Sequence, residues 1–546
     1  MPDSSAPGSR GYRDLQQHMA ALDEAGLLVR VDRPIDKDAH MHALVRWQFR
    51  GGIPESERKA FLFTNIVDAK GRAFDLPVLV GGLAANPAIY CLGMRAERDE
   101  IGPLWDKAIA NPIAPREVET AACHDVVLTG DDLVGLEKGM DGLPIPISTP
   151  GFDSAPYLTM TACVTRDPEF GTQNMGTYRV ALKAPDRCVV RMATRPGGAE
   201  GYLHWQKYQE RGEPMPIAIV VGAPPAVVYT APQKLRIGQE EMAVAGGLVG
   251  EPINMVKART VDLFVPAESE LVVEGLIDTE YLEPEAPFGE SHGHVALEAY
   301  NMRMQVTAIT RRKKAIIPSI ISQVTPSESS VIKRVAYEPL FLSHLRDALS
   351  IKGVKKVSMH EPLTNIRKVL LIRFERGVPR TEIWRALTGA SMLQSAVGKY
   401  VIAVNEDIDP DNGDAVFWAL AHRANPGLDV QILPHRILGH GPKSERGGGE
   451  DATMLIDATL KEDMPPVALP KRQFMEEAKS IWEELGLPTL TPQEPWHGYS
   501  LGDWNDGWDE TAARAVAGDY LENGRRSDQK KRAGLKPETQ IRTVED

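Results

Sequence analysis

The chain has 546 residues and a mass of 60.0 kDa, so a prior of roughly 150 residues per domain predicts about three or four domains. Its net charge of −13 and pI of 5.6 argue against a dedicated nucleic-acid binder, and 42% hydrophobic with 25% charged residues exclude global disorder. Because it has neither an apolar run of the roughly 20 residues that span a bilayer nor a signal-peptide core, we expect a cytoplasmic protein without a membrane partner.

Hydrophobic periodicity divides the first 325 residues into two patterned segments. The first, residues 10–120, is α/β: a helix is predicted over 12–26, a strand over 27–31, an apolar run over 61–66 and a strand over 77–80. The second, residues 121–325, is rich in short strands with Gly and Pro turns, which predicts a β-barrel or sandwich with inserted helices. Its predicted strands are 158–164, 217–221, 260–265, 270–277 and 302–309, and its predicted helices are 201–211 and 240–246.

A third segment, residues 326–470, returns to an α/β alternation. Its predicted elements are helix 337–351, strands 354–359 and 368–373, helix 380–389, strand 400–405 and helix 414–424. A last helix over 471–485 carries an apolar stripe, Phe474, Ala478, Ile481, Trp482 and Leu485, which often docks on another domain or subunit. The four cysteines are too far apart in sequence for a CxxC metal site, so four reduced, mostly buried thiols are expected.

The stretch E-P-E-A-P-F-G-E-S-H-G-H, from Glu283 to His294, is the densest in groups able to carry a proton. Two carboxylates forced together and partly desolvated cannot both ionise cheaply, so one pKa rises and that group can donate a proton near neutral pH. A solvated acidic turn is the alternative. Glu290, His292 and His294 also lie at i, i+2 and i+4, on one face if the segment is a strand, which suggests a metal-dependent hydrolase as a rival hypothesis.

A second stretch, Q-N-M-G-T-Y-R, runs from Gln173 to Arg179. The amide oxygen of Asn174 could ligate a hard cation, and Arg179 could clamp a carboxylate in bidentate fashion. Alone this is weak support, because arginines that alternate with apolar residues, as at 187, 191 and 195, usually mark the wet side of a sheet. The acidic run from Asp407 to Asp414 fails the calcium-loop template, with glycine at loop position 7 and Trp418 at position 12, so a turn and a helix start are expected there.

Four motifs in this order resemble the UbiD family of reversible decarboxylases, which use prenylated FMN. They are the Asn174 to Arg179 stretch, E-M-A-V-A-G at 241–246, E-A-P-F-G-E-S-H-G at 285–293, and Gly398-Lys399 ahead of Asp407-Ile-Asp409-Pro410. The resemblance covers residues 12–485 and implies a mixed α+β and α/β fold. Its parts are an N-terminal α/β segment (10–120), a central split β-barrel that binds the flavin (121–325), a C-terminal α/β oligomerisation domain (326–470), and a C-terminal helix and tail (471–546).

The resemblance also implies roles for single residues. Arg179, Glu285 and Glu290 match the family's catalytic network, in which Glu290 donates the proton to the carbon that lost CO2. Asn174 and Glu241 match residues that hold a divalent cation, Mn²⁺ or Mg²⁺, against the flavin phosphate, with K⁺ beside it. The residues expected to bind the cofactor are Asn174, Thr177, Arg179, Arg191, Glu241 and Lys399.

One departure from the family concerns the third metal-site residue, which is usually a histidine. Arg195, Glu200 and His204 are all candidates, depending on where a gap is placed. Arg195 could neutralise the phosphate directly, Glu200 could replace the imidazole, or His204 could reach in from its helix. We take His204 as the expected ligand, together with Asn174 and Glu241, and the identity of the metal stays open.

The resemblance leaves the substrate open: an aromatic or α,β-unsaturated acid, or an aryl-CoA thioester such as phthaloyl-CoA. The basic residues Arg525, Arg526, Lys530, Lys531 and Arg532 are best explained as a solvated tail, although they would also suit the phosphates of a ligand or a partner. We expect a homo-oligomer, dimer or hexamer, supplied with cofactor by a flavin prenyltransferase, and no nucleic-acid partner. The rivals are the hydrolase built on Glu290 and a non-catalytic flavin-binding subunit of a carboxylase complex.

Overall fold

The computed structural model describes residues 11–194, 199–233, 235, 239–285, 287–394, 397–437, 450–461, 464–492, 496–498 and 504–528. Arg195, Lys530, Lys531 and Arg532 therefore lie outside the described residues. Within these ranges no helix combines the length and the apolar character needed to cross a bilayer. The chain divides into two compact units: unit 1 comprises 1–372, 380–402 and 431–456, and unit 2 comprises 373–379, 403–430 and 457–546.

The N-terminal region forms the predicted α/β arrangement. Its elements are α1 (Leu15–Glu24), β1 (Leu28–Val31), β2 (Ile35–Asp36), α2 (Met41–Arg50), β3 (Ala60–Phe63), β4 (Ile66–Val67), β5 (Ala73–Phe74), β6 (Val78–Val80), α3 (Pro87–Met94) and α4 (Ile101–Ala110). The predicted helix 12–26 begins later, because Asp14 is its N-cap and accepts a hydrogen bond from Gln17 N. Helices α2, α3 and α4 were not predicted.

The middle region contains most of the strands. Its elements are β7 (Arg116–Glu117), β8 (Val126–Thr129), β9 (Tyr157–Leu158), β10 (Thr161–Arg166), β11 (Gln173–Gly176), β12 (Arg179–Ala184), β13 (Arg187–Arg191), α5 (Glu200–Arg211), β14 (Met215–Val221), α6 (Pro225–Thr230), α7 (Glu241–Val249), β15 (Asn254–Lys257), β16 (Phe264–Pro266), β17 (Leu271–Glu285), β18 (Phe288–Gly289), β19 (Val295–Ala296), β20 (Ala299–Arg311) and β21 (Ile317–Ser319). The last strand, β21, leaves the region and pairs in parallel with β6, which completes the N-terminal sheet in the order β1-β3-β6-β21.

One large antiparallel sheet positions the site. Among the described residues its order is β11-β10-β14-β17-β20-β13-β12-β9, with β8 also paired to β20. The run predicted over 158–164 is two strands, β9 and β10. The strand predicted over 260–265 begins only at Phe264, because a turn occupies the residues before it.

The two ends of this sheet come close together. Strands β11 and β12 are separated by six strand spacings, about 29 Å in a flat sheet, yet only Thr177 and Tyr178 connect them. Three Cα–Cα steps reach at most about 11 Å, so the sheet must curl. Since the described pairings form an open series, the split barrel stays a prediction.

Both faces of the sheet are buried, which explains its nearly continuous apolar strands. In β14, Ile217, Ile219 and Val221 belong to the core shared with the N-terminal sheet. The alternate residues Ala218 and Val220 pack into a second core with side chains from α3, α4 and α7. This period of two is the one that a pleated strand dictates.

The C-terminal region contains α8 (Glu328–Ser343), β22 (Val354–Met359), β23 (Val369–Phe374), α9 (Arg380–Leu393), β24 (Tyr400–Asn405), α10 (Gly413–Arg423), β25 (Val430–Ile437), β26 (Glu450–Asp457), α11 (Arg472–Glu484), α12 (Asp506–Val516) and α13 (Tyr520–Asp528). The strand order is β22-β23-β24-β26-β25. The helix predicted from Tyr337 starts nine residues earlier, because Ser327 and Ser330 form a reciprocal capping box. The turn and helix start predicted at 407–414 are confirmed, with Asn412 as N-cap and Asp407 paired to Arg423. No residue of α11 is buried.

Two buried histidines, His18 and His42, are expected to make the protein less stable as the pH falls. Burial lowers the pKa of His18 to about 4, and burial together with the Arg46 charge lowers that of His42 to about 3. Below about pH 6.5 the unfolded chain therefore binds protons that the folded chain refuses, and the free energy of unfolding falls as the pH drops. We expect His42→Asn to reduce this slope by about 1.4 kcal/mol per pH unit between roughly pH 5.5 and 4.5.

The measurement is urea denaturation of both proteins at several pH values in that window. His422, which is exposed on α10, provides the matched control, since His422→Asn should leave the slope as it is in the parent protein. Equal slopes for His42→Asn and the parent would contradict this prediction.

Candidate active site

The structure brings Arg179, Glu285 and Glu290 together. Arg179 is the first residue of β12, Glu285 is the last residue of β17, and Glu290 follows the two-residue strand β18. The two glutamates lie 106 and 111 residues after the arginine, and the sheet topology brings them to it.

Arg179 binds both carboxylates. Its Nε and Nη2 donate to Glu285 Oε1 and Oε2 at 2.7 and 2.8 Å, and its Nη1 donates to Glu290 Oε1. The side chains of Arg179, Glu285 and Glu290 are 9%, 1% and 10% exposed. Burial opposes the charge on Arg179, but hydrogen bonding to Glu285 and the charges of both glutamates raise its pKa. The site therefore holds one cation that is shared by two anions away from water.

Aromatic rings support this network. The guanidinium carbon of Arg179 lies 4.5 Å from the centre of the Phe288 ring, which in turn is 4.4 Å from the Tyr157 ring. Tyr157 is fully buried, and burial together with the Glu285 charge raises the pKa of its hydroxyl. Asn301 on β20 adds a hydrogen bond to Glu285 Oε2 at 3.4 Å. Packing and hydrogen bonds thus fix Glu285 in place.

Arg191 adds a second guanidinium beside Glu290. It is the cross-strand partner of Arg179, since β12 and β13 pair in that register. Its Nε lies 3.8 Å from Glu290 Oε1, and its side chain is 35% exposed. Glu290 is therefore faced by two arginines, one of which also reaches solvent and can receive an anionic ligand.

The hydrolase hypothesis required a strand from Glu290 to His294, and the structure has a turn there. These residues form the turn between β18 and β19, so His292 and His294 do not share a strand face with Glu290. Their rings lie 5.8 Å apart, while Glu290 is bound to Arg179. Within the described ranges no three His, Cys, Asp or Glu side chains are grouped as a metal site.

A second cluster forms around Asn174 and Glu241. Asn174 lies on β11, and Glu241 is the first residue of α7, where its Oε2 accepts a hydrogen bond from Met175 N at 3.0 Å. Both side chains are buried. Burial and the neighbouring carboxylates of Glu200 and Glu240 raise the pKa of Glu241 to about 7. A buried carboxylate with acidic neighbours favours a cation, and all the donors here are oxygens, which suit Mg²⁺ or Mn²⁺.

Of the two described candidates for a third ligand, Glu200 and His204, it is Glu200 that lies beside this cluster. With the Asn174 amide oriented to satisfy its neighbours, its nitrogen donates to Glu200 Oε2 at 3.3 Å. His204, one turn further along α5, contacts other groups: Nδ1 lies 2.9 Å from Thr165 Oγ1, and Nε2 lies 4.0 Å from Asp167 Oδ2. Burial lowers the pKa of His204 to about 4, so it is a neutral core residue.

A cavity of about 200 Å³ adjoins Asn174 and Glu241. Its polar wall includes the charged side chains of Arg116 and Arg166, and Met242 contributes to its apolar wall. Because charged groups of both signs line it, this cavity suits a polar ligand more than an apolar one.

The remaining residues singled out from the sequence are Lys399, Thr177, two arginines of the tail and the four cysteines. The ammonium group of Lys399 pairs with Asp451 at 2.9 Å, and Thr177 is exposed in the link between β11 and β12. In the tail, Arg525 and Arg526 both pair with Glu522 on α13. The four cysteines are free thiols, as predicted, three of them buried.

Sequence reasoning missed several residues that support the site. Asp153 accepts hydrogen bonds from two backbone N–H groups, one of them on the hairpin with Glu290, and Tyr157 and Asn301 lie near Glu285. An acidic residue four positions after Thr149 suggests a local turn, which the structure has, but nothing in the sequence indicates the long-range contact. Phe288, whose ring packs on Arg179, was missed as well. It lies inside the E-A-P-F-G-E motif, so the motif could have indicated its place in the site.

Two family models match the chain. The 3-octaprenyl-4-hydroxybenzoate carboxy-lyase Rift-related domain matches residues 116–324, and the C-terminal domain of the same carboxy-lyase matches residues 331–458.

Solved structures share the fold. The UbiD-class enzyme HmfF from Pelotomaculum thermopropionicum, in complex with FMN, is 27% identical with a TM-score of 0.72, covering 84% of this chain and 96% of that chain. An evolved dimeric form of HmfF in complex with prFMN is 26% identical with a TM-score of 0.71, covering 84% and 97%. The open form of vanillic acid decarboxylase from Sedimentibacter hydroxybenzoicus, at 24% identity, covers 87% and 100% with a TM-score of 0.71, which supports the fold alone.

Proposed function

Since the chain belongs to the UbiD family of carboxy-lyases, we propose that it is a reversible, non-oxidative decarboxylase that depends on prenylated FMN. The observation that carries this proposal is the buried network in which Arg179 holds Glu285 and Glu290. An arginine that is shared by two carboxylates can bind an incoming carboxylate and leave one of its own partners free to carry a proton.

The residues of this chain have separate tasks in that reaction. Prenylated FMN, when bound, supplies the electron sink that allows CO2 to leave an sp2 carbon. Glu285, held by both Arg179 and Asn301, keeps the guanidinium in place. As the substrate carboxylate competes for Arg179, Glu290 loses part of its positive surroundings, takes up a proton from solvent, and then donates that proton to the carbon that lost CO2.

The cofactor site is proposed around Asn174, Glu241 and Arg191, with Thr177 and Lys399 as further contacts. The oxygen donors of Asn174 and Glu241 would hold a divalent cation, and this cation together with K⁺ would supply positive charge for the cofactor's phosphate. Arg191 supports this assignment because its partly open guanidinium can face an anion while remaining beside Glu290.

The substrate we propose is an aromatic or α,β-unsaturated carboxylic acid. HmfF is a UbiD-class enzyme, and the Sedimentibacter hydroxybenzoicus and Enterobacter cloacae structures are decarboxylases of vanillic acid and 3,4-dihydroxybenzoic acid. An aryl-CoA thioester is the second candidate, although the pairing of Arg525 and Arg526 with Glu522 leaves fewer free charges for its phosphates. The hydrolase hypothesis is less favoured, because the Glu290 carboxylate binds Arg179 and the segment from Glu290 to His294 is a turn.

The first test is to produce the protein together with a flavin prenyltransferase, record its absorbance spectrum and determine the mass of the released small molecule. A prenylated FMN mass and CO2 release from one member of a panel of aromatic acids and their CoA esters are the expected results. A colourless protein that releases no flavin would overturn the proposal. Light scattering of the same preparation tests the proposed dimer or hexamer against the 60.0 kDa chain mass.

We expect Glu200→Gln to weaken Mn²⁺ binding by about 10-fold or more, because it removes one anionic oxygen ligand beside Asn174. His204→Gln should leave Mn²⁺ affinity nearly unchanged, since that ring faces Thr165 and Asp167. Isothermal titration of FMN-loaded protein with MnCl2 measures both. The reverse ranking would assign the third ligand to His204 instead.

A further inference from the structure

The hairpin that contains Glu290 is attached to the loop that precedes β9. One carboxylate makes the attachment: Asp153 Oδ1 accepts a hydrogen bond from Gly289 N at 2.8 Å, and Oδ2 accepts one from Thr149 N at 2.7 Å. Gly289 directly precedes Glu290 in the chain. Asp153 therefore connects the backbone next to Glu290 with a loop about 140 residues earlier.

Two further contacts hold the loop and the hairpin together, and one closes the loop on itself. Ser154 N donates to Pro287 O at 3.0 Å across the contact, and Asp153 N donates to Thr149 O at 3.0 Å within the loop. A Cβ added at Gly289 would clash with Thr149 Oγ1, so the loop lies directly against the hairpin backbone. The attachment is a close-packed contact and not a single hydrogen bond at the surface.

The hairpin depends on its surroundings for its position: Phe288 packs against Arg179 and Tyr157, Glu290 pairs with Arg179, and the Asp153 loop holds the backbone between them. Its strands β18 and β19 are two residues long and pair only at Phe288 with Ala296 and at Gly289 with Val295. A two-stranded ribbon of this size is not stable by itself in water. Arg179, in contrast, lies in the large sheet, so the separation between the two charged groups depends on what fixes the hairpin.

We infer that Asp153 is a positioning residue that fixes the Glu290 hairpin relative to Arg179, an inference that rests on the proposed proton transfer by Glu290. A proton donor must be held within about 0.5 Å of its productive position, and displacement by about 1 Å can reduce the rate about 100-fold. Asp153 achieves this without touching the reacting groups. Burial raises the pKa of Asp153, while the backbone N–H groups of Gly289 and Thr149 favour its charged form.

The test compares Asp153→Ala and Asp153→Asn with Asp36→Ala. Asp36 is a matched control because its Oδ1 also accepts two backbone hydrogen bonds, from Asp38 N and Ala39 N, in the N-terminal region. We expect Asp153→Ala to reduce kcat about 10- to 100-fold with KM and flavin content unchanged. Asp153→Asn, which keeps an oxygen acceptor for one of the two N–H groups, should recover part of the loss, and Asp36→Ala should leave kcat unchanged.

Amide hydrogen–deuterium exchange provides a readout that does not depend on activity. Peptides that cover 287–296 should exchange faster in Asp153→Ala than in the parent protein, and those peptides should be unaffected in Asp36→Ala. Unchanged exchange in this hairpin, or faster exchange with an unchanged kcat, would overturn the inference. An inactive, flavin-loaded parent protein would instead overturn the proposed function.

Discussion

Glu290→Gln is expected to reduce kcat for decarboxylation by about 10²- to 10⁴-fold, the usual contribution of a positioned general acid. Glutamine has nearly the shape of glutamate and can still accept a hydrogen bond from Arg179, so the hairpin and the flavin site should persist. What it lacks is an acidic proton. Because the proton is needed after CO2 has left, exchange of labelled bicarbonate into unreacted substrate should fall less than product formation does.

Glu283→Gln provides the control for this variant. Glu283 lies two residues before Glu285 on the same strand, but it pairs with Arg187 at 3.3 Å. It should keep the parent kcat within about twofold, since its carboxylate pairs with Arg187 instead of Arg179 and a partly exposed ion pair contributes little. Steady-state assays at equal flavin content measure both variants. A Glu290→Gln enzyme with parental kcat would exclude this residue as the proton donor.

Arg179→Ala is expected to have the largest effect on stability. The change leaves Glu285, whose side chain is 1% exposed, as a buried carboxylate without its principal partner. Breaking a buried ion pair in this way costs about 3–5 kcal/mol of the free energy of unfolding. Activity should also fall, by about 10²- to 10³-fold for Arg179→Lys, which keeps the charge but cannot make the parallel pair of hydrogen bonds to Glu285.

Denaturation in guanidinium chloride and kcat measurements check these two variants. The control is Arg187→Ala, which removes the arginine of a more exposed pair, with 38% of its side chain open to solvent. That variant should lose no more than about 1 kcal/mol and keep its activity. Equal losses in the free energy of unfolding for Arg187→Ala and Arg179→Ala would show that the burial of the Arg179 ion pairs does not add to stability.

Elements with a clear period could be predicted from the sequence, and irregular ones could not. Helices α5, α7, α10 and α11 have predicted bounds within three residues of those observed, because their apolar spacing and end signals agree. The start of α8 was missed since S-E-S-S has the composition of a loop, whereas its capping box and burial make it helical. Topology could not be predicted: no local signal indicates that β21 pairs with β6.

The candidate site shows the same division. Arg179, Glu285 and Glu290 could be proposed because a specific motif contains two of them, and the resemblance supplied the third. The choice of His204 as metal ligand relied on its residue type, and the structure places Glu200 beside Asn174 instead. Asp153 could not be found, because its contact with Gly289 joins residues 136 positions apart and depends on how the sheet curls.

The strand order has a consequence for how the chain is made. Strand β13 lies between β12 and β20, and its register with β20 pairs Arg187 with Gln305. A ribosome that adds about 5–20 residues per second therefore leaves one edge of β13 open for roughly 5–20 s before β20 emerges. An apolar edge exposed for that long invites association with other nascent chains. We therefore expect the protein to aggregate less when it is expressed at low temperature or together with a chaperone.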